Sequence, residues 1–431
     1  MQALLSFDQS PPLTAPLRFL LTAPLYGVLA GALLMIEGAD LLASRWTPAA
    51  LAATHLLTLG FMLQIMLGAL IQILPVVAGA NLAQPARLAA LVHPLLNLGC
   101  LLLVAGFLAA APGLLQAAGV LLLLSIGGFL FAAARALLHV PSTSPTIRGL
   151  KLALSGLLVT AALGLVLLLA LSRGWSLPLM PLTDLHAGWG LAGWTGILLS
   201  AVAYVVVPMF QLTPGYSARS GWAFPWLIIF PLLLWSLAFW CDWVWLAAIS
   251  QFSLALVGIA FCLLTLRLQS QRRRPRPDVT LHYWQLGLGS LISALLMLLT
   301  AAIWPALSQL PMWSPLFGVL VLVGGFIAFI NGMLYKIAPF LAWLHLQNRG
   351  SSGGSLPAMN KFLSEAEMRQ QMRVFFAAFG LLTAACLWPE ALARPAGLVF
   401  MLANAGLGWN LWRVVRRYRR FCLPVNTVPA V

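Results

Sequence analysis

The sequence predicts an all-helical, polytopic membrane protein with about twelve spans. Three observations carry that reading. Of the 431 residues, 61% are hydrophobic and 8% charged; apolar runs of about 20 residues recur from Pro16 to Val415; and the runs are continuously apolar rather than alternating. A helix needs about 20 such residues to cross a hydrocarbon layer of roughly 30 Å. A transmembrane β-barrel would alternate with period two. A soluble fold, and with it a soluble nucleic-acid binder, would need polar faces that these runs lack.

Taken in order, the spans are expected at 17–37, 48–77, 86–111, 114–139, 148–172, 183–210, 222–241, 244–268, 281–304, 313–343, 371–389 and 394–415. They form a single transmembrane domain over 1–431. The first is preceded by Pro11-Pro12 without a cationic region or small-residue cleavage site, so no removed signal peptide is expected. Most connections are short, which suits antiparallel neighbours. Two are longer. Residues 269–280 are basic and proline-containing, and 349–370 runs from a Gly/Ser stretch into Ser364-Glu-Ala-Glu367, a capping-box pattern expected to open an interfacial helix that leads into span eleven. Tryptophans at span ends, including Trp46, Trp175, Trp222, Trp243, Trp313, Trp343, Trp388 and Trp412, fit an interfacial belt.

The net charge of +15 is a matter of topology. With the N-terminus inside, 21 of the 24 Lys and Arg residues fall on one side, and only Arg45, Arg173 and Arg394 fall on the other. The positive-inside rule then puts both termini in the cytoplasm of a bacterial-type inner membrane. The runs at 272–276 and 413–420 are expected to meet anionic lipid. The five cysteines are scattered, without CxxC or CxxCH, which excludes a disulfide framework, a zinc knuckle and c-type haem attachment.

An internal repeat is the most informative pattern. Spans two, six and ten each run to a proline, and Pro75, Pro208 and Pro339 are 133 and 131 residues apart. Gly60, Gly193 and Gly324 keep the same separations. Spans five and nine share small residues at similar places, in KLALSGLLVTAALG and WQLGLGSLISALL. Three pseudo-repeated four-helix units are therefore predicted, at about 14–142, 146–268 and 279–420. Their small residues let backbones approach closely.

Twelve spans in three quartets resemble the plan of the haem-copper oxidase catalytic subunit, where histidines on helices two, six and ten carry haems and copper. Span two also resembles the NnrS family of haem-containing membrane proteins linked to nitric oxide stress, through His55, Gly60-Phe61, Gly68 and Pro75. The plan covers nearly the whole chain, and the specific motifs cover spans two and six. The resemblance implies haem b, held at the depth of His55 and His186, each a turn or two inside the non-cytoplasmic end of its helix. A neutral imidazole is the usual axial ligand, and a ring in lipid needs a metal or a hydrogen-bond partner. Asp184 is a candidate to hold the second ring nitrogen of His186.

The departures are as telling. Span seven lacks a His-His pair, so an oxidase-type copper would miss two of its three ligands, although copper as such stays possible. Gly190 stands four residues after His186, where many oxidases have tyrosine, and Val319 stands at the ligand depth of span ten. Oxygen reductase and nitric oxide reductase activity are not expected. The remaining histidines are His93, His139, His282 and His345, all on the cytoplasmic side. His93 is a further haem-ligand candidate, and His93, His282 and His345 could form a metal site with or without the first pair. No span carries a carboxylate at its centre, which argues against a proton pump. Lys336 snorkels to headgroups or meets a haem propionate or a quinone. Tyr204 and Tyr335, each four residues before its proline, read as packing or interface residues.

Three functional readings follow. The first is a haem-binding membrane protein without the oxygen-reducing centre, serving redox, nitric oxide or metal-stress physiology and, if anything, not an enzyme. The second is a permease or exporter for an apolar or uncharged solute, which needs no cofactor. The third is an electron-transfer or structural subunit of a respiratory assembly, in contact with a quinol, a cytochrome or a cupredoxin.

Overall fold

The computed structural model describes residues 7–274, 276–348 and 357–422. The described residues contain helices and no strands. Twelve long helices run in sequence: α1 (Thr14–Glu37), α2 (Pro48–Ala78), α3 (Pro85–Leu108), α4 (Pro112–Leu138), α5 (Pro145–Arg173), α6 (Leu179–Gln211), α7 (Ala218–Trp240), α8 (Val244–Ser270), α9 (Val279–Ile303), α10 (Trp313–Asn348), α11 (Glu365–Ala385) and α12 (Pro389–Cys422). Eleven of them are long and apolar enough to cross a membrane. The exception is α11, because its first turns carry Glu365, Glu367, Arg369 and Arg373.

The helix ends follow local chemistry. Pro48, Pro85, Pro112 and Pro145 open helices at positions where a missing N–H costs nothing. Side chains of Thr47, Ser144, Ser217 and Asp278 accept from backbone N–H groups of the first turn. The capping box expected at Ser364 and Glu367 is formed, with the Glu367 carboxylate accepting from the Ser364 N–H at 2.9 Å. From there α11 is one continuous helix, so its charged start and its apolar remainder are a single element. The Gly/Ser part of the preceding loop, 349–356, lies outside the described residues.

Helices α2, α6 and α10 are the most buried, and the others surround them. Each inner helix packs against the helix before it: α2 on α1, α6 on α5, α10 on α9. Around the outside, α3 pairs with α4, α7 with α8 and α11 with α12. Links α4 to α5, α8 to α9 and α12 back to α1 close the ring. The closing contact is tight, since a Cβ on Gly397 would meet the Gly31 carbonyl at 2.7 Å, and one on Gly31 would meet the Gly397 carbonyl at 2.7 Å.

Gly60, Gly193 and Gly324 sit at the inner contacts. A Cβ at Gly60 would lie 2.1 Å from the Tyr26 ring of α1. The Gly193 carbonyl lies against Gly156 of α5, where a Cβ would be 2.3 Å away, and a Cβ at Gly324 would lie 2.5 Å from Ser290 Oγ of α9. Each inner helix also contains a π-helical stretch, over Leu56–Leu63, Trp189–Gly196 and Val319–Ile327. Such turns are rare and cluster at functional sites. The tryptophan-rich ends of the bundle expose Trp240, Trp243, Trp245, Trp304 and Trp388, as a membrane interface favours.

Candidate functional site

His55 and His186 stand at matching places. Each is seven residues after the first residue of its helix, roughly 10 Å in from the tryptophan-rich face, and each comes just before a π-helical stretch.

Both rings are oriented by backbone carbonyls. His55 Nδ1 donates to the Leu51 carbonyl of its own helix at 2.8 Å. His186 Nδ1 donates to the Thr160 carbonyl of α5 at 3.1 Å. A carbonyl oxygen can only accept, so each neutral ring carries its proton on Nδ1 and keeps the Nε2 lone pair. Neither Nε2 has a hydrogen-bond partner among the described residues. Asp184, expected as the orienting group for His186, instead pairs with Arg45 from the α1–α2 connection, and Arg45 lies over Trp46 at 4.9 Å. The ion pair joins the outer ends of the two histidine-bearing parts of the fold.

The surroundings are apolar and cut to the shape of the rings. Phe107 of α3 lies 5.2 Å from the His55 ring, tilted by 42°. Gly164 of α5 faces His186, where a Cβ would come within 3.0 Å of Cε1. One turn from each histidine contact, Leu59 and Leu168 belong to a small apolar cluster separate from the main core, with Leu103, Leu115, Ala118 and Phe107. Cys100 Sγ donates weakly to the His55 carbonyl, at 3.7 Å.

The other candidates are placed apart. His93 Nε2 is bonded to Thr22 Oγ1 of α1 at 2.9 Å, and the ring meets Phe19 edge-on. His345 Nδ1 is bonded to the Tyr418 hydroxyl of α12 at 2.6 Å. His282 is half-buried in the first turn of α9, and His139 caps the end of α4. Among the described residues no three His, Cys, Asp or Glu side chains form a group that could hold a metal ion, so His93, His282 and His345 are not brought together as one. Lys336 pairs with Asp278, the cap of α9, at 2.8 Å.

No known protein-family profile and no curated protein sequence matches the chain.

The buried polar side chains that sequence reasoning passed over are amides and phenols. Between α1, α2 and α3, Tyr26 and Gln64 both donate to Asn97 Oδ1 at 2.7 Å, and Asn97 Nδ2 donates to the His93 carbonyl at 2.6 Å. Between α9, α10, α11 and α12, Tyr283 and Tyr335 donate to Gln371 Oε1 at 2.6 and 2.8 Å, and Gln371 Nε2 donates to the Ala403 carbonyl at 2.9 Å. Each cluster ties three or more helices together where lipid offers no substitute partner.

Proposed function

We propose that the chain is a haem-binding membrane protein in which His55 and His186 would hold one b-type haem. The observation that carries the reading is the matched pair of histidines. Both Nδ1 groups are spent on carbonyls, and both Nε2 lone pairs are left over at one depth. The donor set fits the group. Two imidazoles are too few for a bare transition-metal ion, whereas a porphyrin brings four nitrogens of its own and needs only axial partners. Without a CxxCH sequence the attachment would be non-covalent.

The scaffold belongs to the same proposal. The ring-like helix contacts, the three glycine contacts and the three π-helical stretches support three four-helix units on a haem-copper oxidase-like plan. Two inner helices carry a histidine at the end of the π-helical stretch nearer the tryptophan-rich face, and α10 carries Val319. The distribution of Lys and Arg supports an inner-membrane protein with cytoplasmic termini.

When bound, haem supplies reversible one-electron chemistry at its iron. The chain's own share is to fix both rings through Leu51 and Thr160, to exclude water with the leucine cluster, and to hold the outer ends together through Arg45 and Asp184. A haem held by both His55 and His186 would supply electron-transfer chemistry. This suits a role in redox or nitric oxide stress, with a quinol, cytochrome or cupredoxin as partner.

The test is the absorption spectrum of detergent-purified protein, oxidised and dithionite-reduced, with pyridine haemochrome and metal analysis. A Soret band is expected, weakened, shifted or lost in His55→Ala and in His186→Ala. Colourless protein from haem-replete cells would sink the proposal and favour a cofactor-free permease.

A further inference from the structure

The most basic stretch of the chain places Arg272, Arg273, Arg274 and Arg276 within five residues. Charge alone would leave such a run solvated and self-repelling. Here it is folded. The Arg273 N–H donates to the Leu212 carbonyl, just past the end of α6, at 3.0 Å. Arg272 donates from Nε to the Arg274 carbonyl at 3.1 Å and from Nη1 to the Gln269 carbonyl at 3.4 Å. Arg274 pairs with Asp278 at 3.0 Å, and Asp278 is also held by Lys336 of α10.

A recess between the ends of α6 and α9 is lined by Gln211, Arg272, Arg274, Arg276, Asp278 and Leu281. Its single carboxylate is already matched by Lys336 and Arg274. The guanidinium groups of Arg272 and Arg276 are thus in excess, and Arg276 has no partner among the described residues. Gln211 is buried. Its Oε1 accepts from Gln269, and its Nε2 hydrogens have no acceptor among the described residues. The unspent side-chain groups of Arg272, Arg276 and Gln211 are all donors.

The other basic run differs. Arg413 and Arg417 are taken by Glu367, and Arg416 lies over Trp412. Equal charge therefore does not mean equal capacity to receive an anion.

We propose that the recess at the α8–α9 connection binds a phosphate group, through the guanidinium forks of Arg272 and Arg276 and the Gln211 amide. The bearer of that phosphate is an acidic phospholipid headgroup, since the recess opens among helix ends on the basic face, at headgroup level.

The test uses the full chain in detergent, with native mass spectrometry and titration of phosphatidylglycerol, phosphatidylcholine and inorganic phosphate. The unaltered protein is expected to retain phosphatidylglycerol over phosphatidylcholine. Arg272→Gln with Arg276→Gln should weaken it by about tenfold, and the charge-preserving Arg272→Lys with Arg276→Lys by a smaller factor, because an ammonium lacks the fork. Removing the same charge outside both basic runs, as Arg173→Gln with Arg394→Gln, should leave the affinity unchanged. Equal losses in both glutamine pairs would mean diffuse attraction and overturn the site. Binding of inorganic phosphate without retention of lipid would overturn the lipid as its source. Lysine variants that keep their fold and bind like the unaltered protein would overturn the role of the guanidinium forks.

Discussion

His186 is held by a helix other than its own: its Nδ1–H reaches the Thr160 carbonyl of α5, while Gly164, one turn further along α5, leaves room for the ring. The acceptor is main chain, so Thr160→Val should leave the ring in place and any haem spectrum unchanged. Gly164→Val should not. Even an alanine Cβ there comes within 3.0 Å of Cε1, and two further methyls must displace the imidazole. Haem occupancy per protein, read from the Soret band against absorbance at 280 nm, should fall at least several-fold in Gly164→Val. Full occupancy would mean that the ring's position is not set by this contact.

Arg45 and Asp184 are half-exposed, and an ion pair of that kind is worth only about 0–1 kcal/mol. Asp184→Asn should therefore lower the unfolding temperature only slightly. Its effect on the site should be larger, with faster haem loss to an apo-myoglobin acceptor, increasing with salt in the unaltered protein and independent of salt in the variant. Equal salt dependence in both would exclude the pair as a fastener.

Glu367 lies under Arg413 and Arg417 and caps its own helix. Burial opposes its charge, but the Arg417 guanidinium and the N–H and hydroxyl of Ser364 outweigh it and hold the carboxyl at about 2, below its ordinary 4.5. A carboxyl depressed on folding adds stability that is complete above its unfolded value and is lost as pH falls through the folded one. The unfolding temperature should thus drop between pH 4.5 and about 2 through this group, and Glu367→Gln should remove that part of the slope. At pH 7 the variant should lose about 2 kcal/mol. An unchanged acid limb would show that the cluster does not contribute.

Gln371 accepts from two buried phenols and donates to α12. Gln371→Leu leaves both hydroxyl protons without their acceptor, at about 1–3 kcal/mol for Tyr283 and less for Tyr335, whose oxygen still accepts from Asn410 Nδ2 at 3.1 Å. Tyr283→Phe or Tyr335→Phe removes one donor and leaves the other satisfied, so each should cost only about 1 kcal/mol. Unfolding followed by tryptophan fluorescence should rank the glutamine variant well below either tyrosine variant. Equal losses would contradict the shared-acceptor geometry.

The spans were readable because lipid demands unbroken apolar runs, and the helices begin and end within a few residues of the expected ranges. Three run clearly outside them: α10 continues to Asn348, α11 starts already at Glu365, and α12 extends from Pro389 to Cys422. The Gly60, Gly193 and Gly324 spacing led directly to three close helix contacts. The π-helical stretches were not readable, since LLTLGFML and VLVLVGGFI contain nothing that a regular helix would refuse. The orienting groups of the histidines were hidden for another reason: a main-chain carbonyl has no letter in the sequence, and attention to carboxylates led to Asp184. The same attention passed over Asn97 and Gln371, neutral amides that do intramembrane polar work without charge.

The crossing of Gly31 and Gly397 has a consequence for how the protein is made. They are 366 residues apart, so at 5–20 residues per second α1 waits on the order of half a minute in the bilayer before its partner exists. During that time its glycine face is bare, and α2, held through Gly60 and Tyr26, is the neighbour that can shelter it. Closure of the ring is then a final event of biogenesis. A chain stopped before α12 would leave Gly27 and Gly31 facing lipid, a surface that membrane quality control can recognise as unfinished.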